Sequence, residues 1–282
     1  MVKERRARSS IAKLLSRTGI GTVGFFQILI TIGIAVSAPV LAPQDPFAIN
    51  AFEKLHPPSR SHLMGTDHLG RDVLSRVVYG ARVSLEVGVI AVGIATSIGG
   101  SLGLIAGYFG ASVDNALMRV MDIMLAFPPI LLAISITAVL GPGITNAMIA
   151  IGVVYTPRFA RLARAPVLTL RHLEYVEAAR AVGASHLRII SRHILPNAVG
   201  PLIVQISLAM ASAILAEAAL GFLGLGAQPP IPSWGGILNE GRLVVEIAPW
   251  LAIFPGAAIV FAVLGFNLLG DGVRDLLDPR LR

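Results

Sequence analysis

From Ile123 to Pro157 the chain runs for 35 residues without an acidic or basic side chain. A membrane-crossing helix uses about 20 residues, so this run is too long for one crossing. Gly141-Pro142-Gly143 is the natural break, because this trio ends helices. Two spans are therefore expected here, about Asp122–Leu140 and Ile144–Arg164. Soluble domains carry about 25% charged residues, whereas this chain carries 14% and is 55% hydrophobic. Long apolar runs in lipid must satisfy their own backbone, which points to an all-α membrane protein.

Four more runs bring the expected number of spans to six. They are about 20–42, Val83–Tyr108, Asn197–Gly221 and Ile247–Leu269. The first follows a basic tail, residues 1–19, in the manner of a signal peptide. Its charge-free run from Thr18 to Gln44 is 27 residues, longer than the about 7–15 of a signal core. Pro39 directly follows the small pair Ser37-Ala38, so an uncleaved span is expected. Between the first two spans lies a polar segment, 43–82. There Val73, Leu74, Val77 and Val78 form one face of a short interfacial helix ending near Gly80.

Lysine and arginine set the orientation. With the N-terminus inside, 17 of the 23 basic residues fall on inner segments and 6 on outer ones. Counting acids, the inner segments carry +9 and the outer ones 0; Glu86 and Glu217 lie within spans. The formal charge of +7 is thus positive-inside bias, and a nucleic-acid partner is not needed to explain it. Cysteine is absent, which excludes disulfides and thiolate metal sites.

The fourth and fifth spans are separated by a charged island, Leu173–Gly200. Glu174–Val182 contains three alanines and neither glycine nor proline, so helix is the favoured local state. Gly183 is placed to end that helix and Ser185 to cap a second short one. Pro196 either closes the second helix or opens the next span. On the first helix Glu174, Glu177, Ala178 and Ala181 share a face, at spacings of three and four. A helix-turn-helix of this kind does little for lipid and is suited to a soluble partner.

Glu177-Ala178-Ala179, Gly183 and Leu195-Pro196 resemble the EAA loop of bacterial ABC importer permeases. The general pattern has isoleucine two positions before the leucine, where this chain has His193. The Arg192–Asn197 version is similar to the peptide and nickel importer branch. Gly65–Asp72 continuing through Ser75-Arg76 and Ala81–Leu85, Gly221–Gly226, and Asn267–Asp275 resemble motifs of the C-type permease subunits of that branch. The resemblance implies a type I importer permease fold, with a five-span core over 83–270 and a cytoplasmic coupling-helix loop over 165–196. A cytoplasmic C-tail, 271–282, follows. It also implies ATPase coupling through Glu174, Glu177, Ala178, Ala179, Gly183, Leu195 and Pro196. Expected partners are a second permease in a heterodimer, two cytoplasmic ATPases, an extracytoplasmic substrate-binding protein and lipid of the bacterial inner membrane. ATP and magnesium would bind the ATPases, and no cofactor this chain. Short peptides or nickel are the implied cargo, but neither is written in the spans themselves.

Other residues carry weaker expectations. No Walker A pattern, catalytic triad, paired-carboxylate cleft or His-Glu-x-x-His helix occurs, so the chain lacks the constellation of an enzyme. An ion-coupled secondary carrier is the alternative, but it calls for charged or unwound sites at mid-membrane. His56, His62 and His68 show no helical ligand spacing and are expected to serve the loop. Glu86 is expected to pair with Arg82 four residues earlier, and Glu217 to line an outer mouth. Glu86, Asp67, Arg71 and Asp72 are further candidates for the mouth or the permease interface. Arg158, Arg161 and Arg164 are expected to reach lipid phosphate. Gly99, Gly103 and Gly107 leave one helix side nearly bare, for packing within the chain or between subunits. Pro128-Pro129 and Pro255 are expected to kink the third and sixth spans.

Overall fold

The computed structural model describes residues 19–277; residues 1–18 of the basic N-tail and the last five residues lie outside the described residues. The chain is all-helical, with a lone backbone bridge between Thr66 and Asp72 as its β contact among the described residues. The first helix, α1, is Gly19–Val36, followed after Ser37 by one turn, Ala38–Leu41. Gly21, Gly24, Ile28, Thr31 and Ala35 are its buried stripe. A Cβ at Gly24 would lie 2.7 Å from Leu268 Cβ, so the bare backbone is what allows the close crossing with the last helix.

Helix α2, Val73–Phe109, corrects two expectations at once. The short interfacial helix does not end near Gly80 but runs unbroken into the second span. Its 37 residues are about 55 Å long at 1.5 Å each, well beyond an about 30 Å hydrocarbon core. Gly80 stays helical because its bare side accommodates Trp234, whose Cδ1 would be 2.7 Å from an added Cβ. Farther along, α2 packs over α5, Ile144–Leu170, through the glycine stripe. Added Cβ atoms would fall 2.9 Å from Phe159 Cβ at Gly99, and 2.8 Å from Ala163 and Val167 Cβ at Gly103 and Gly107. The stripe is therefore internal packing, in which small residues permit backbone-to-backbone approach.

The expected third span is broken. Helix α3 is Ala111–Leu125 and α4 is Pro129–Leu140, with 92° between them. Pro129 keeps the preceding residue out of helical geometry, and Pro128 accordingly sits at ψ 129°. Helix α3 carries Asp114, Arg119 and Asp122 and is amphipathic, whereas α4 carries no charge and has Ser135 and Thr137 as its polar side chains.

The island contains helix α6, Glu174–Ala181, and a short helix α7, His186–Ile189. The second short helix is not separate: α7 passes through a π-helical turn, Ile190–Ile194, into α8, Leu195–Phe222. Pro196 therefore opens the span. It has no N–H for the Arg192 carbonyl, and the wider turn directly before it absorbs the misfit. The last two helices are α9, Trp234–Gly241, and α10, Trp250–Leu277, which contains Pro255.

Four of these units are long and apolar enough to cross a membrane: α1, α2, His186–Phe222 and α10. The bent pair α3–α4 makes a fifth if taken as one crossing. Helix α5 is 27 residues long but carries Arg158, Arg161 and Arg164 in its second half.

Candidate functional site

Within the island, helix α6 is held by one buried side chain. Val176 is buried at the centre of α6 and packs with Tyr108, Val167, Ile189, Ile194 and Ala198 in a small core separate from the main one. Ala179 leans half-buried on the same core, which separates it from the exposed residues expected to act beside it. Glu174, Glu177, Ala178 and Ala181 are all exposed, so the shared face expected from their spacing is free in this chain. No ion pair joins Glu177 to Arg180 within 4.0 Å among the described residues.

Turn chemistry fixes the island's shape. Gly183 has φ +80°, a left-handed conformation that is strained for a residue with a Cβ. The Ala184 N–H donates to the Ala179 carbonyl and the Gly183 N–H to the Arg180 carbonyl, each at 3.0 Å, which closes the helix in a Schellman motif. Ser185 Oγ then accepts from the Arg188 N–H, as the cap expected there. Val182 and Leu187, on either side of this turn, are 85% and 77% exposed. Leu195 is half-buried and Pro196 exposed. Tyr108 reaches across from α2, its hydroxyl 2.8 Å from His186 Nδ1, and Arg171 donates to the Gly107 carbonyl at 2.9 Å. The island is tied to α2 by Tyr108 and to α5 by Val167 in the small core, and its displacement would be felt by both.

A second polar cluster lies at the other end of α2. Asp67 is fully buried and receives Arg71 Nε at 2.6 Å together with Arg76 Nη1. Both arginines also donate to Glu240 on α9, at 2.9 Å from Arg71 and at 2.8 and 2.9 Å from Arg76. Burial pushes the Asp67 carboxyl upward. The Arg76 charge, the backbone N–H donors of Arg71 and Leu69 and the Arg71 charge outweigh it, and the net direction is down. Asp72 caps α2, accepting from Ser75 N at 2.8 Å and Ser75 Oγ at 2.7 Å, and its other oxygen is 3.0 Å from His62 Nδ1. Trp250 Nε1 donates to the Thr66 carbonyl and Trp234 Nε1 to the Val77 carbonyl. Both tryptophans of the chain thus fasten this segment.

Asp67, Arg71 and Asp72, expected at a mouth or an interface, are instead buried inside this chain and bind it together. Asp67, His68 and Glu240 converge closely enough to hold a cation. Arg71 and Arg76 already bring two positive charges to the same two carboxylates, so the donor set does not suit a metal ion.

Glu217 is also internal. It is buried against α2, accepts from Ser84 Oγ at 2.9 Å, and lines none of the described clefts. Ala218 and Gly221 of α8 approach the Gly235 backbone so closely that a carboxylate beside them is enclosed. The expected Arg82–Glu86 pair does not form within 4.0 Å; both side chains are exposed. Arg161 pairs with Asp122 at 2.5 Å, and Arg164 holds both oxygens of Asp114, each at 2.5 Å. These two arginines bind α3 rather than reaching for lipid.

Residues 99–282 match the family of binding-protein-dependent transport system inner membrane components. That is about two thirds of the chain. The chain belongs to this family. The permease is 50% identical over 270 residues to the dipeptide transport system permease protein DppC of Alkalihalophilus pseudofirmus, covering 96% of this chain and 89% of the relative. It is 46% identical to the glutathione transport system permease protein GsiD of Pectobacterium atrosepticum (90% and 85% covered). A probable D,D-dipeptide transport system permease protein of Escherichia coli is 47% identical (90% and 85% covered). Among solved structures, an inward-facing form of the MetNI methionine ABC transporter aligns with a TM-score of 0.58 and 20% identity. That alignment covers 71% of this chain and 96% of the MetNI chain, and it shows a shared fold. The protein is accordingly the membrane subunit of an ABC importer and not an enzyme.

Sequence reasoning missed two features of this permease. Glu240 lies on α9, where Gly235 and Gly236 weaken the helix pattern; Ser233, which accepts from the Gly236 N–H at 3.0 Å, was the available cap signal. The π turn leaves no periodicity mark, although Pro196 next to a helical run was its cause.

Proposed function

We propose that this chain is one of two non-identical permease subunits of an importer for short peptides. It crosses the inner membrane six times with both termini in the cytoplasm. The crossings are α1, α2, the bent α3–α4 pair, α5, α8 and α10. Two ATPase subunits bind ATP and magnesium on the cytoplasmic side, and an extracytoplasmic protein delivers cargo at the Asp67–Glu240 end. Relatives named for dipeptide, D,D-dipeptide and glutathione transport support a peptide cargo. The family assignment leaves an ion-coupled carrier without support.

The observation that carries the coupling assignment is the construction of the island. One buried valine and a Schellman turn hold α6, while Glu174, Glu177, Ala178 and Ala181 present a small, acidic, unpaired face. Val182 and Leu187 add an apolar tip. A groove with basic walls and an apolar floor on an ATPase is complementary to that surface. Motion there passes to α2 through Tyr108–His186 and to α5 through Val167 in the Val176 core.

The test is to purify the tagged chain from native membranes and reconstitute what accompanies it. A pair of ATPases, a second permease and ATP-dependent uptake of dipeptide delivered by the binding protein are expected. Uptake by this chain alone would overturn the assignment. Glu177→Ala is expected to leave protein levels intact and to weaken ATPase association at least about thirtyfold, since truncating one partner of a desolvated charge pair costs about 2–5 kcal/mol.

A further inference from the structure

Helix α5 carries three arginines at intervals of three residues, and two are matched. Arg161 and Arg164 end on Asp122 and Asp114 of α3. Arg158 has no carboxylate within 4.0 Å among the described residues. Its guanidinium lies 5.8 Å from the centre of the Tyr155 ring. Six positions apart, Arg158 is about 9 Å farther along the helix than Arg164, toward the membrane interior in the proposed topology. A charged side chain at that depth is costly and marks a solute path or a buried partner.

Arg158 has a cavity in front of it. Pro129 and Ala133 of α4, Val154, Tyr155 and Arg158 of α5, and Ala216 of α8 line a cleft of about 380 Å³. That volume falls within the about 300–1,000 Å³ of small-molecule sites. The remaining polar groups on its wall are already occupied: Tyr155 Oη donates to the Ser212 carbonyl at 3.0 Å and Ser212 Oγ to the Leu208 carbonyl at 3.2 Å. The cleft therefore offers apolar walls and a single unpaired cation. Its roof is the start of α4, directly after the Pro128 break, so rotation of α4 about that break would change its width.

We propose that this cleft is a transient carboxylate subsite on the solute path. Arg158 takes the free C-terminal carboxylate of a short peptide, and the apolar walls take its last side chain. The inference rests on the peptide reading above and deepens it. A fork-shaped guanidinium suits a carboxylate. The site needs no strong affinity, because a solute in transit must also leave.

The chain has no native cysteine, so a probe placed in this chain is unambiguous. The assembled importer carrying Ala216→Cys is put into vesicles and labelled with a small neutral thiol reagent, read by mass on this chain. A dipeptide with a free C-terminus should slow labelling at least about tenfold more effectively than its C-terminal amide. Arg158→Gln should abolish that difference and Arg158→Lys should retain most of it, with ATPase association unchanged in both. Equal protection by acid and amide, or a difference that survives Arg158→Gln, overturns the subsite. Labelling that is blocked in vesicles regardless of peptide and released in detergent also overturns it, and assigns the cleft to lipid. An importer that carries peptide but fails these tests loses the subsite alone. One that carries no peptide loses the peptide reading with it.

Discussion

Arg76 and Glu240 stand 164 positions apart and meet in a two-pronged ion pair, Nη1 to Oε2 at 2.8 Å and Nη2 to Oε1 at 2.9 Å. The pair joins the start of α2 to α9, and with Asp67 and Arg71 it closes one end of the bundle. Arg76 is 3% exposed and the Glu240 side chain 19%, so the pair is mostly removed from water. Breaking one side of a buried pair costs about 3–5 kcal/mol. Glu240→Gln is expected to cost near the lower end, because Asp67 still faces both arginines. Thermal unfolding in detergent should show a large loss, and a midpoint equal to the unmutated protein would show that the pair contributes nothing.

The same cluster sets an acid limit. Asp67 is held below its ordinary carboxylate value, so it binds protons more weakly folded than unfolded. Its contribution is complete above the unfolded value of about 3.9 and is lost as pH falls through the lower folded value. Stability of the purified permease should decline in that acidic window, and the decline should be smaller in Asp67→Asn, which is less stable throughout. A decline of unchanged size in Asp67→Asn would assign it to other groups.

Two neighbouring glycines separate packing from helix propensity. A Cβ at Gly103 would meet the Ala160 carbonyl and Ala163 of α5, whereas one at Gly100 would meet nothing within 4 Å. Gly103→Ala is expected to destabilise, with overpacking costs of about 1–3 kcal/mol. Gly100→Ala should be neutral or stabilising by up to about 1 kcal/mol, since alanine is the better helix former. Similar thermal midpoints for the two variants would contradict the α2–α5 packing described above.

Val182 is 85% exposed at the tip of the island and touches neither hydrophobic core. Val182→Asp is expected to leave the folding of this chain unchanged while reducing recovery of ATPase with the tagged permease. A lowered thermal midpoint without loss of ATPase would show that the tip serves the permease itself.

Cysteine labelling checks the orientation. A probe introduced by Ser185→Cys should react only from the cytoplasm, and one introduced by Ser59→Cys only from outside. Reaction of Ser185→Cys from outside would remove the coupling role together with the topology.

What the sequence determined by itself was local. Gly183 ends α6, Ser185 caps the next turn and Pro128-Pro129 breaks a span, because each acts through backbone conformation and hydrogen bonds within a few residues. The glycine spacing at 99, 103 and 107 likewise announced a close helix contact, and the uncharged runs announced lipid. The partner of that glycine stripe was not legible, because spacing defines a face and not what lies opposite. Tertiary structure alone paired Arg76 with Glu240, gave Arg161 and Arg164 their carboxylates on α3, and left Arg158 facing a cleft. It also enclosed Glu217 and Asp67, which read along the chain as candidates for an outer mouth or the permease interface. Ion pairing falls off over a few ångströms, so its outcome depends on how distant helices cross.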